Sequence, residues 1–200
     1  MCIRDRAETE YRSGNVFVRG SYTWSHYFGN FDQDNTTVGN DAAIFIGSSN
    51  LADGVGRQIW NNKEGDLRGD RRHMMKVYGF YTLPWQATAG VFAVAQSGQP
   101  WEAWDCSVYG VAITSSCDTI RNAEPAGTRR TPAHWQMDLN YTQNFRFGGR
   151  YNLQLAADLF NLFDKQTGYN FEPSKNSSLF NTPRSYFSPR RLEVAARFQF

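Results

Sequence analysis

The side chains most able to do chemistry are few and scattered. The chain has three histidines, His26, His73 and His134, and three cysteines, Cys2, Cys106 and Cys117. His73 follows Asp70 closely, so an Asp–His pair could orient an imidazole as a general base. Nothing nearby supplies a nucleophile, and there is no Gly-rich phosphate loop, nucleophile elbow or HExxH motif. The plainer alternative for Asp70 and His73 is a solvated junction between loop and strand, and no catalytic residue is assigned. His26 falls on the apolar side of its segment, and His134 stands beside Trp135. Asp32, Asp34, Asn35 and Asp41 are spaced loosely like a calcium loop, but the required Gly and closing Glu are out of register. They read as a polar surface loop, so no metal, no cofactor and no enzyme activity are expected.

Cys106 and Cys117 flank ten residues of predicted loop, with no third Cys or His beside them. That spacing fits a disulfide in an oxidising compartment better than a zinc site. The alternative is two unrelated free thiols. Trp60, Trp101 and Trp104 also fall in predicted loops. Exposed tryptophans of this kind mark ligand or partner contact. Alternatively, they pack the loops onto one another.

These residues must be held by strands, because the hydrophobic pattern has period two. Leu192, Val194, Ala196, Phe198 and Phe200 alternate with Arg191, Glu193, Arg197 and Gln199. Trp135, Met137, Leu139, Tyr141, Phe145 and Phe147 alternate with Gln136, Asp138, Asn140, Thr142, Asn144 and Arg146. After Gly148-Gly149-Arg150 the alternation resumes with Leu153, Leu155 and Leu159 against Asn152, Gln154 and Asp158, which is a hairpin signal. A second hairpin turns at Ser13-Gly14-Asn15, and a third joins 73–84 to 86–97 around Pro84-Trp85. The 86–97 segment carries small apolar residues on both faces. About seven strands result, roughly 10–16 residues each and joined antiparallel, with long polar connections over 29–70, 98–133 and 164–185.

Composition narrows the class. Aromatics make up 16% of the 200 residues, yet no apolar run is long enough for a membrane helix. The formal net charge of +2 gives no reason to expect nucleic acid. A soluble β-sandwich and a membrane β-barrel remain. Sandwich strands run about 5–6 residues, whereas a barrel needs about 9–11 per strand, with short turns at one end and long loops at the other. The expectation is therefore an all-β, antiparallel transmembrane barrel. Tyr27, Phe28, Trp85, Trp135, Phe147, Tyr151 and Tyr186 sit at strand ends, where interfacial girdles belong. In such a barrel Gln136, Asp138, Asn140, Arg146, Gln154, Asp158, Arg191, Glu193 and Arg197 face the lumen. They would form either a hydrogen-bonded wall or a transport path.

Ser21-Tyr22-Thr23-Trp24-Ser25, Asp70-Arg71-Arg72-His73, Tyr81-Thr82-Leu83-Pro84-Trp85, Gln96-Ser97-Gly98-Gln99-Pro100, Asn161-Leu162-Phe163-Asp164 and the run from Pro189 to Phe200 occur in an informative order. Together they resemble the late strands of TonB-dependent receptors, in particular the subgroup with a carboxypeptidase-regulatory-like N-terminal domain. The resemblance implies a barrel of about 22 strands closed by a plug, of which this chain would supply the last seven or so. It also implies nutrient uptake across the outer membrane of a Gram-negative bacterium, powered through TonB by an N-terminal region not in this sequence. Met1 to Arg6 resembles translated adapter sequence, so residues 7–200 are expected to be the barrel part, preceded in the full gene by a plug and about fifteen strands. Leu192, Val194, Phe198 and Phe200 resemble the C-terminal signal read by the barrel-assembly machinery, a form of strand addition. The other expected partner is outer-membrane lipid. Two alternatives stay open: an adhesion or surface-interaction barrel, and a secreted β-sandwich binding module.

Overall fold

Alternation of apolar and polar side chains over nine or more residues satisfies only a strand with two unlike faces, and the chain builds its sheet from such segments. The computed structural model describes residues 2–29, 62, 64–105 and 121–200. In chain order the strands are β1 (Cys2–Ser13), β2 (Val16–Gly29), β3 (Gly65–Asp66), β4 (His73–Leu83), β5 (Ala87–Gln96), β6 (Pro100–Trp101) and β7 (Trp104–Asp105). They continue as β8 (Arg121–Asn122), β9 (Arg129–Arg130), β10 (His134–Phe147), β11 (Tyr151–Phe160), β12 (Gly168–Phe171), β13 (Pro183–Tyr186) and β14 (Arg191–Gln199). The described residues contain no helix.

The seven long strands form one antiparallel meander in the order β1-β2-β4-β5-β10-β11-β14, with β3 paired to the end of β2. This is the expected all-β antiparallel fold. It also corrects the sandwich alternative. Among the described residues there is one large sheet, and the remaining pairs, β6-β9, β7-β8 and β12-β13, are short two-stranded elements in the long connections. Strands of 9–14 residues are too long for a compact sandwich of this size.

All three tight turns lie at one end of the sheet. Gly14 (φ +52°), Gly148 (φ +56°) and Gly149 (φ +74°) take left-handed conformations that a side chain would strain, and Gln86 does the same at φ +62° in the Pro84-Trp85-Gln86 turn. The long connections all emerge at the opposite end. The register aligns like with like across the strands: Asn140 opposite Asp158, Asp158 opposite Glu193, and Leu139 opposite Leu159, which faces Leu192. One face of β10, β11 and β14 is therefore polar and the other apolar, as the alternation requires.

Burial is inverted relative to a water-soluble domain. The buried apolar side chains are Phe17, Leu67, Ala87, Trp101, Ala103 and Ala126, and four of these six lie in the long connections. Trp85, Trp135, Tyr141, Phe145, Phe147, Tyr151, Leu192, Val194 and Phe198, on the apolar face and its turns, are exposed. A contiguous exposed apolar face of this extent marks a surface that contacts a partner, protein or lipid.

Candidate functional site

Two regions concentrate polar chemistry: the polar face of the sheet, and the long-connection end where several loops meet. On the polar face, side chains one register step apart hydrogen-bond along and across the strands. Gln136 Nε2 donates to Asp138 Oδ1 at 2.7 Å, and the same oxygen accepts the Asn161 N–H at 2.8 Å. Asn140 Nδ2 donates to Asp158 Oδ1 at 2.6 Å, and Gln154 Nε2 to Asn144 Oδ1 at 3.2 Å. Arg191 pairs with Glu193 at 2.9 Å and lies over the Phe160 ring. The nine residues expected to face a lumen, including Arg146 and Arg197, thus share one face, and several are linked as a hydrogen-bonded wall would be.

At the other end, Asp70 is fully buried and ties its own connection to the end of β2 and to the 97–133 connection. Its Oδ1 accepts the Tyr27 N–H at 2.8 Å, while Oδ2 accepts Arg130 Nη2 at 2.7 Å and Arg72 Nη2 at 3.2 Å. Asp66 Oδ2 takes the same two guanidiniums at 2.5 and 3.0 Å. Burial pushes the Asp70 carboxyl up, but the hydrogen bonds from Arg130, the Tyr27 N–H and Arg72 outweigh it and hold the group below its ordinary value. Burial lowers the neighbouring Arg71, which donates to Gln99 Oε1 at 2.8 Å. The backbones here touch. A Cβ on Gly98 would lie 1.8 Å from the Thr131 carbonyl oxygen, and one on Gly65 would lie 2.0 Å from that of Ala126.

The expected Asp70–His73 pair does not form. Asp70 is held by arginines, and His73 Nδ1 lies 2.7 Å from the Tyr22 hydroxyl on the apolar face. As the first residue of β4, opposite Trp24, His73 shares the face of Tyr22, and its ring stacks on that tyrosine instead. His26, Asp66 and Asp70 do bring ligand-type atoms within 4.8 Å of one another. Arg72 and Arg130 already neutralise both carboxylates there, so the donor set does not suit a cation.

Trp101 is 7% exposed, which corrects its expected role as a solvent-facing ligand contact. Its ring stacks on Phe171 at 5.5 Å and 8°, meets Phe180 edge-on, and carries the Arg129 guanidinium at 5.4 Å. Arg129 grips Glu124 through two bonds of 2.7 and 2.9 Å, and Lys175 reaches Glu124 at 3.0 Å. The hydrogen bond from Arg129 overcomes burial and, with Lys175, draws the Glu124 carboxyl down to about 2. The 97–133 and 161–190 connections are thereby clasped together, the loop-packing alternative for Trp101. Trp60, the side chain of Trp104, Cys106, Cys117 and the 32–41 acidic stretch lie outside the described residues.

Asn161 is a hub that the sequence did not single out as a site. It adopts φ +50°, is 1% exposed, donates from Nδ2 to the Ser188 and Lys165 carbonyls, and accepts the Lys165 N–H on Oδ1. The signal was an Asn ahead of Leu-Phe-Asp, since Asn tolerates left-handed backbone and bonds its own turn. Asp66, Glu124, Arg129 and Arg130 were also missed. Only the adjacent charges of Asp70-Arg71-Arg72 and Arg129-Arg130 hinted at an ion network. His134 is 3% exposed, stacked 3.6 Å from Phe187 and 2.9 Å from the Thr167 hydroxyl, so it is a packing residue of the 161–190 connection. Leu192, Val194 and Phe198 lie on the apolar face of β14, and the Phe198 ring stacks on Tyr151 at 6.0 Å and lies beside Phe200 at 6.4 Å.

No family model and no curated protein sequence matches this chain. Among solved structures the chain is similar to the crystal structure of the ferric citrate transporter FecA in the unliganded form, at 12% identity and a TM-score of 0.45. The alignment covers 99% of this chain and 31% of that one, so the chain spans about a third of that transporter's length.

Proposed function

We propose that this chain is part of the wall of an outer-membrane β-barrel of the TonB-dependent receptor type, serving nutrient uptake in a Gram-negative bacterium. One observation carries the reading: a meander of long strands in which β10, β11 and β14 set a hydrogen-bonded polar face against an exposed apolar, aromatic-rich face. Water penalises that apolar face and lipid accepts it. The asymmetry of the two ends, tight turns against long clasped connections, supports the same reading. Lipid is then the partner of the apolar face, and the barrel-assembly machinery the partner of Leu192, Val194, Phe198 and Phe200 during biogenesis. TonB would act through an N-terminal region beyond this sequence, and the carboxypeptidase-regulatory-like subgroup rests on the sequence resemblance. The polar face would line the lumen, and no step of the proposed role requires a catalytic residue.

The test has two arms. The protein expressed in a Gram-negative host should fractionate with the outer membrane and require detergent for extraction. Uptake of a labelled nutrient by the full-length gene product should stop when TonB is deleted. Recovery in the soluble periplasm refutes the barrel. Unchanged uptake with lost cell attachment assigns the barrel to adhesion.

A further inference from the structure

The register sorts charge along the polar face in a way that composition conceals. In the segments that make the tight-turn end, 11–18, 80–90, 143–154 and 195–200, the charged residues are Arg12, Arg146, Arg150 and Arg197, with no aspartate, glutamate or lysine. All four are exposed, and none of them pairs with a carboxylate among the described residues. Arg146 opens a row with Asn152 and Gln199, and the next row on the same face is Asn144, Gln154 and Arg197. Of the acids on that face, Asp138, Asp158 and Glu193 lie toward the long connections of their strands, while Glu10, opposite Arg19, stands two residues from Arg12.

Distance decides whether those acids matter. Glu193 is four residues from Arg197 along β14, or about 14 Å at about 3.4 Å per residue. Asp158 stands opposite Asn140, six residues from Arg146 and so about 20 Å away. Both exceed the screening length of about 8–10 Å at ordinary ionic strength. Arg146 and Arg197 therefore have no side-chain carboxylate of these strands within that length, and they stand among amide side chains. Forked cations flanked by amide donors are the chemistry that binds carboxylate and phosphate oxygens.

We propose that the tight-turn end of the polar face is a binding surface for a small anionic ligand bearing carboxylate or phosphate groups, held by Arg146 and Arg197. This rests on the uptake reading and gives it a substrate class: the surface would hold an anion near the end of its path through the lumen. A low-dielectric wall with charge of one sign would concentrate such a ligand there.

The experiment titrates inorganic pyrophosphate into the full chain refolded in detergent micelles, by calorimetry at low and at physiological salt. Folding is checked separately by heat-dependent gel mobility, and membrane association by flotation with vesicles, so a failed barrel is distinguished from a failed ligand site. Saturable binding should weaken at least tenfold in R146Q/R197Q and by a smaller factor in R146K/R197K, which keeps both charges but loses the forks and covers the case where the Gln variant fails to fold. K76Q, a cation on the same face nearer the long connections, should bind as the parent does. Absence of binding by folded protein overturns the proposal, as does equal loss in K76Q. Binding of a polyglutamate peptide without pyrophosphate assigns the surface to an acidic polypeptide instead, and also overturns it.

Discussion

Replacing Asp70 by Asn removes one charge from the buried knot and keeps its shape. In the parent, Oδ2 receives charge-assisted bonds from Arg130 and Arg72, and Oδ1 receives the Tyr27 N–H. The amide can still accept from Tyr27, but its NH2 group then faces two guanidiniums that can only donate. Two bonds to charged groups are worth about 1.5–3 kcal/mol each. Asp66 still holds both arginines, which softens the loss. The expected cost is therefore about 2–4 kcal/mol, below the full penalty for stripping a buried charge of its partner. Urea unfolding in detergent should show this loss, and a protease should cut earlier within 97–131. The pH dependence carries a sign. Because the folded-state carboxyl is held below its ordinary value of about 3.9, its contribution is complete above that value and is lost as pH falls through the lower folded value. D70N should lack that acid-sensitive component. The cycle with R130Q should show coupling of at least about 1 kcal/mol. A D70N cost under about 0.5 kcal/mol, or additivity with R130Q, would refute the knot as the anchor of these loops.

Other outcomes follow from the packing and the sequence. W101A should cost about 3–5 kcal/mol in the local stability of the clasped connections, read by hydrogen exchange over 97–105 and 161–190, with β10 and β11 little changed. G98A should prevent the loops from seating, because its Cβ would sit on the Thr131 carbonyl, whereas G14A, with nothing within 4 Å, should cost only about 1–2 kcal/mol through its left-handed backbone; equal melting temperatures for the two variants would contradict this. In the full-length protein F200A should lower outer-membrane yield severalfold with periplasmic degradation, since the C-terminal strand would no longer be read for assembly, and normal surface levels with a lower melting temperature would leave Phe200 as a girdle residue only. Cys106 and Cys117 should resist thiol labelling until reductant is added, and free labelling of both would exclude their disulfide.

Strand existence, face and hairpin position were legible along the chain because each is a local property. A period of two tells which side of the sheet a residue takes, and Gly14 or Gly148-Gly149 tells where a chain of L-residues can reverse. That is why the faces of β10, β11 and β14 follow from alternation alone. The knot and the clasp were not legible. Asp70 and Arg130 are 60 residues apart, and Trp101 meets Phe171 across 70. Nothing local to either member distinguishes it from a solvated loop residue. They meet because the meander returns every long connection to the same end of the sheet, where loop backbones close to distances that glycines such as Gly65, Gly98 and Gly127 allow. The same holds for the charge pattern. Arg146 and Arg197 are ordinary polar positions of two separate strands until the register, through Asn152 and Gln154 of β11, sets them on adjacent rows away from Asp158 and Glu193. Pattern along one strand is sequence; adjacency between strands is a product of the pairing, and only the folded sheet decides it.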